Sequence, residues 1–188
     1  MTAYHGEILK AEDFQGQHFS HHLFEDCTFL PGDYSQVEFS FCTLRDCTFS
    51  RAMLREACFP ESKLQQVRFE ECKLTDINFK EVNPIAFELT FDKCKLEYCT
   101  FAGLIMNGFQ FGKSEIIACN FWQCKIGEAN FYGCNLKESQ FENCTLKQTD
   151  FRDAQHYHID PTQNQLKGAR FSLPDALVFL RHFGIKVE

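Results

Sequence analysis

The chain has 188 residues, 44% of them apolar and 24% charged, with 19 basic against 26 acidic side chains for a formal net charge of −7. This is the size and balance of one folded domain. It excludes a disordered tail, a multidomain enzyme and a protein that grips a phosphate backbone, which needs clustered Lys and Arg. No apolar run approaches the roughly 20 residues of a spanning helix, and Met1 to Lys10 lacks the basic start and apolar stretch of a signal peptide. No membrane role and a cytoplasmic location are therefore expected.

After a lead-in over residues 1–11, a period of five begins. Stepping by five from Phe14 gives Phe19, Phe24, Phe29, Tyr34, Phe39, Leu44, Phe49, Leu54, Phe59, Leu64, Phe69, Leu74 and Phe79, all large and apolar. A second run starts at Phe91 and continues through Leu96, Phe101, Met106, Phe111, Ile116, Phe121, Ile126, Phe131, Leu136, Phe141, Leu146 and Phe151. Sixteen of the 22 Phe occupy these centres, so the aromatic excess belongs to the repeat. Ten of the 11 Cys lie two residues before a centre, with only Cys58 out of register. The same slot also holds Ala52, Ser62, Ser114 and Thr149, so it selects small side chains.

A period of five fits neither the helix nor the strand and requires a coil with turns at fixed intervals. The pattern of small, polar, Phe or Leu, polar, polar, seen in Cys27-Thr28-Phe29, Cys134-Asn135-Leu136 and Cys144-Thr145-Leu146, resembles the pentapeptide-repeat family. That resemblance implies an all-β fold, a right-handed quadrilateral β-helix with four repeats to a coil and centre and small residue pointing inward. The 27 centres over 12–154 then make about 7 coils, and the alternation of Phe with Leu or Ile puts aromatic ladders on one opposite pair of faces. Glu12 and His22 are expected as inward exceptions.

From Phe79 to Phe91 is twelve residues, two steps of five plus two. If the Phe faces alternate across it, the segment Val82-Asn83-Pro84-Ile85-Ala86-Phe87-Glu88 bulges from the face between them and is a candidate partner-binding loop. Acidic residues concentrate before this break. Asp26 and Asp46 share an outward slot one coil apart beside Glu25, a candidate acidic face. After the break, Tyr98, Ile105, Ile117, Trp122 and Tyr132 fall in outward slots of a weakly charged belt.

The closing segment, 155–188, resumes the phase at Leu166 and Phe171 and then reads as a helix, with Ser172 as cap, Pro174 and Asp175 in the first turn and Gly184 as stop. Leu173, Ala176, Leu177, Phe179, Leu180 and Phe183 make an apolar surface wide enough to cover the last coil and to pair with a second copy. Tyr157-His158-Ile159-Asp160-Pro161 and Ala169 to Pro174 are similar to the tail of albicidin-immunity proteins.

No nucleotide, hydrolase or zinc signature occurs, no cofactor is expected, and a core filled with Phe and Leu leaves no active-site pocket, so the chain reads as no enzyme. The cysteines never form CxxC, and their register makes them reduced wall residues. His156 and His158 with Asp160, or His18, His21 and His22, are the weak candidates for metal ligands. The resemblance extends to Qnr-type quinolone-resistance and albicidin- or microcin-immunity proteins. It implies a DNA-mimicking homodimer joined through its C-termini that binds DNA gyrase or topoisomerase IV, a protein partner rather than nucleic acid, and protects it from quinolones or peptide toxins. The alternative is a structural or protein-interaction module of the family with no topoisomerase partner.

Overall fold

The computed structural model describes residues 2–14 and 16–186. Among these the chain forms 22 strands of two to four residues, three 3-10 turns and one short helix, Val178–His182. Pairing is parallel throughout and advances by one coil of twenty residues: Leu23 pairs with Thr43 and Thr43 with Lys63, Phe29 with Phe49 and Phe49 with Phe69. The result is a β-solenoid with four faces, numbered here from the N-terminus. Ala3–His5, Leu23–Glu25, Thr43–Arg45 and Lys63–Gln65 lie on the first, and Ile8–Leu9 and Thr28–Phe29 open the second. Gly32–Asp33 and Ala52–Arg55 lie on the third, and His18–Ser20 and Glu38–Ser40 open the fourth.

Chemistry explains each slot of the repeat. Apart from Pro31 and Glu81, the corner residue two after a centre has a positive φ, as at Asp26 (54°), Asp46 (52°), Glu56 (54°) and Glu71 (53°). None of the non-glycine residues in this left-handed region is Val, Ile or Thr, whose branched Cβ tolerates it least. The small slot faces inward and ties coils together. The Ser62 hydroxyl donates to the Phe39 carbonyl at 2.6 Å and accepts from the Cys42 amide at 2.7 Å, and the Cys47 thiol donates to the Phe24 carbonyl at 3.4 Å. Cys, Ser and Thr suit this slot because each is small and carries a donor for a carbonyl that burial would otherwise leave under-satisfied.

The centres stack as ladders. On the second face Phe29, Phe49, Phe69, Phe91, Phe111, Phe131, Phe151 and Phe171 lie ring over ring, with centroids 4.1–5.4 Å apart. The fourth face carries the ladder Phe19, Phe39, Phe59, Phe79, Phe101, Phe121 and Phe141. Leu, Ile and Met fill most of the first and third, the exceptions being Tyr4, Phe24 and Tyr34 near the N-terminus and Phe87 in the widened coil. Pairing runs from Ala3 to Phe171, giving about eight coils where the repeat count predicts seven, because the ladder takes in Tyr4, Leu9 and the last coil as well. Eight steps of ~4.8 Å make a rod of about 38 Å. Of the two expected inward exceptions, Glu12 is exposed and His22 half-buried, since the chain around Glu12 leaves the coil to close its end.

Both ends are closed by aromatic rings. The 3-10 turn Ala11–Asp13 leaves the third face and turns Phe14 across the open core, where it meets Phe19, Phe24, Phe29, Tyr34 and Phe39 at 4.8–6.3 Å. Gly32 permits this turn, because a Cβ there would collide with that of Ala11. At the other end Phe179 of the terminal helix packs on Tyr157 (5.9 Å) and Phe171 (4.7 Å).

Between Phe151 and Phe171 the coil loses two residues before Ile159, which pairs with Phe141 only eighteen residues away, and regains them in Asp160–Asn164. The faltering repeat is therefore a compensated coil. Its anchor is Asp150, whose side chain is 8% exposed and is held by Arg152 (2.8 and 3.0 Å) and by Arg170 (2.9 Å) from the last coil. Hydrogen bonding from Arg152 holds its carboxyl below the usual carboxylate range against desolvation. A depressed folded value means that the clamp contributes fully above the unfolded value near 3.9 and is lost as pH falls below it through the folded value. With both guanidinium groups about half exposed, Asp150→Asn should cost about 1–2 kcal/mol at pH 7. Urea unfolding of both proteins should show the difference shrink between pH 4 and pH 2, and a constant difference would assign the loss to packing.

Candidate functional surface

No group of three or more metal-ligating side chains converges among the described residues. His156 bonds Asn135, His18 bonds Glu38, His21 stacks on Phe41, and His22 bonds the Ser20 carbonyl. All eleven cysteines are unpaired and ten are buried. Burial pushes the Cys47 thiol up to about 12 and that of Cys134 to about 11, which suppresses thiolate chemistry. No helix among the described residues is long and apolar enough to cross a membrane. The interior of the rod is filled by its own side chains, so the outer surface is what it presents to other molecules.

Phe79 and Phe91 lie on the opposite, fourth and second faces, and the two extra residues fall on the first face between Leu64 and Met106. Of the seven bulge residues, Val82 and Phe87 are buried rather than offered to a partner. The widened coil leaves interior space, and the Phe87 ring fills it against Phe79 (6.3 Å) and Phe109 (5.4 Å). Leu89, Leu104 and Phe109 are large where the small slot is normal, and that departure was the sequence signal for an inward filler. Pro84, Ile85, Ala86 and Glu88 are exposed, with Ile85 68% accessible. The Asn83 side chain accepts from the Ile85 amide at 3.0 Å, and Ala86 has a φ of 56°, so the tip is a defined turn.

The acidic face is less acidic than its sequence. Glu25 sits between Arg45 (2.9 Å) and His5 (3.0 Å), each one coil away, and the Arg45 hydrogen bond holds its carboxyl below the usual range. Asp26 and Asp46 stand exposed on adjacent corners with no ion pair among the described residues, as do the stacked Glu61 and Glu81.

At the C-terminus the apolar set divides. Phe179 faces the last coil, Ala176 and Leu180 are half-buried, and Leu173 (76%), Leu177 (39%) and Phe183 (62%) are exposed together with Ile185 (50%), which the helical stripe did not include. The helix is five residues long, preceded by a 3-10 turn over Asp175–Leu177. Ser172 does not cap it, since its hydroxyl is engaged with the amide and carboxylate of Asp153. Gly184, with a φ of 69°, does end it.

A family model described as the pentapeptide repeat region matches residues 9–79 and 94–171. Among solved structures, a trypsin-treated form of QnrB1, a plasmid-mediated fluoroquinolone resistance protein, is 20% identical over 100% of this chain and 98% of that one, with a TM-score of 0.45. Full-length QnrB1 is 19% identical over 98% of each chain, with a TM-score of 0.41. HetL from Nostoc sp. strain PCC 7120, a pentapeptide repeat protein involved in heterocyst differentiation regulation, is 15% identical over 89% of this chain and 81% of that one, with a TM-score of 0.43. No curated protein matches the chain.

Proposed function

The chain belongs to the pentapeptide-repeat family, and from that premise we propose that it is a non-catalytic rod that binds DNA gyrase or topoisomerase IV where the enzyme receives duplex DNA. Bound there, it shields the cleaved complex from quinolones or peptide toxins. The observation that supports this reading is the set of unpaired corner carboxylates, repeated one coil apart on a stiff rod of about 38 Å whose interior is filled. Regularly spaced negative charge on a stiff column is what a surface evolved for duplex DNA would accept. Two copies joined through the exposed Leu173, Leu177, Phe183 and Ile185 would double its length, as a two-fold end-to-end dimer.

Charge imitation is sparse. Each copy carries −7, against about one charge per 1.7 Å of duplex. Specific contacts from the exposed bulge tip therefore have to supply much of the affinity. In a supercoiling assay with gyrase and a fluoroquinolone or albicidin-like toxin, micromolar protein should restore activity, and an excess should inhibit by competing with DNA. Replacing the exposed Ile85 and Glu88 by Ser, with the buried Val82 and Phe87 kept, should remove protection at an unchanged melting temperature. The neutralised Glu25 favours the one alternative, a protein-interaction module with no topoisomerase partner. Absence of binding and of any effect on drug-stabilised cleavage would decide for it.

A further inference from the structure

The first face changes chemistry along its length. In its last three coils Lys125, Lys147 and Lys167 stand exposed, and none of them has an ion-pair partner among the described residues. Lys167 lies directly over Lys147, since the Gln148 amide donates to the Lys167 carbonyl at 3.0 Å and Thr145 bridges to Gln165 in the same two coils. Lys125 bridges to Thr145 in the column beside them. Around these cations the face carries only Asn107, Gly127, Thr145 and Gln165, and on the flanking corners Glu128 is the one carboxylate.

Like charges stacked one coil apart cost stability, and the rod offsets them on its other faces. Lys73 and Lys95 share Glu97 (3.4 and 2.9 Å), and Arg152 and Arg170 share Asp150 (2.8 and 2.9 Å). Where Lys93 stacks with Lys113 on a corner, Glu71 stands next in that column. Lys147 and Lys167 have no such acid over or under them. Toward the N-terminus the same stretch ends in two exposed aliphatic side chains, Ile105 (55%), bridged to Lys125, and Ile85 (68%) at the bulge tip.

The negative net charge of the chain does not cancel this strip. Asp46 lies four coils from Lys125, ~19 Å, and Glu88 two coils, ~10 Å, against a screening length of about 8 Å at physiological salt. The occupant is therefore anionic, and the aliphatic end selects among anions. A nucleic acid would find no aromatic ring to stack on and no guanidinium on this face, only a carboxylate at its border. We propose that the first face from Ile85 to Lys167 docks a linear acidic segment of another protein, with aliphatic side chains on Ile85 and Ile105 and successive carboxylates on Lys125, Lys147 and Lys167. The strip spans four steps, ~19 Å, the reach of about six extended residues. It is separate from the acidic corners and does not rest on the topoisomerase reading.

The test measures fluorescence anisotropy of a labelled, leucine-led oligoglutamate peptide with the full chain at near-physiological salt. Binding should fall at about 10–100 μM and weaken steeply as salt rises. Lys147→Glu with Lys167→Glu should weaken it at least about tenfold, and Ile105→Ser roughly threefold, at unchanged melting temperatures. Lys93→Glu with Lys113→Glu makes the same change in net charge on a distant corner and should leave the affinity within about twofold. Equal losses in the two double variants would mean that only the overall field acts, and would overturn the strip. So would absence of binding, or an oligothymidylate of equal charge binding as tightly as the peptide. A lower sedimentation coefficient of the Lys147→Glu, Lys167→Glu protein alone would show that the face holds a second copy instead, and would also overturn the proposal.

Discussion

Phe14→Ala should cost about 3–5 kcal/mol, among the largest losses a single truncation produces in this rod. The side chain is 2% exposed and meets a ring from each of the four faces at the N-terminal end, Phe19, Phe24, Phe29 and Tyr34. Because each coil contacts only its neighbours, the damage should stay local. Amide exchange should accelerate in Ala3–Glu25 and leave the strands around Phe101 and Phe121 protected. The bared strand edges should also promote association as concentration rises. Uniform acceleration along the rod would show that the coils unfold as one cooperative unit and that Phe14 is merely one core residue among many.

Leu177→Glu combined with Phe183→Glu should convert a dimer into monomers, weakening association at least a hundredfold in sedimentation equilibrium while leaving the rod folded. Both side chains are exposed and neither supports the last coil. Phe179→Glu should behave oppositely. It places a charge between the rings of Tyr157 and Phe171, so it should loosen the cap and lower thermal stability whatever the oligomeric state. If the double variant sediments like wild type, the chains do not meet through this end.

The aromatic ladders, the inward cysteines and the bulge could be read from the sequence because a period of five forces each residue into one of four roles, and side-chain chemistry agrees with the role. What escaped reading depends on neighbours twenty residues apart. Arg45 neutralises Glu25 from the next coil, and nothing in the local sequence announces it. Phe14 is in phase with the repeat yet serves as a plug, because phase fixes spacing but not whether the backbone continues around the coil. The last coil hid its distortion by removing two residues and restoring them, so its net length was normal. Phe179 was assigned to a dimer surface because a helical stripe shows which residues share a side, but not which side meets the rod.

A coil of twenty residues with contacts only to its neighbours makes the molecule a ruler with fixed divisions. Duplicating a twenty-residue window between bulge and tail would add ~4.8 Å to the distance between them, while each would still point from its own face. A lineage could therefore tune the separation of two binding features in discrete steps without re-aiming either one. A change of one or two residues, by contrast, must be absorbed within its own coil, as the widened coil at Phe87 and the compensated coil at Ile159 both do.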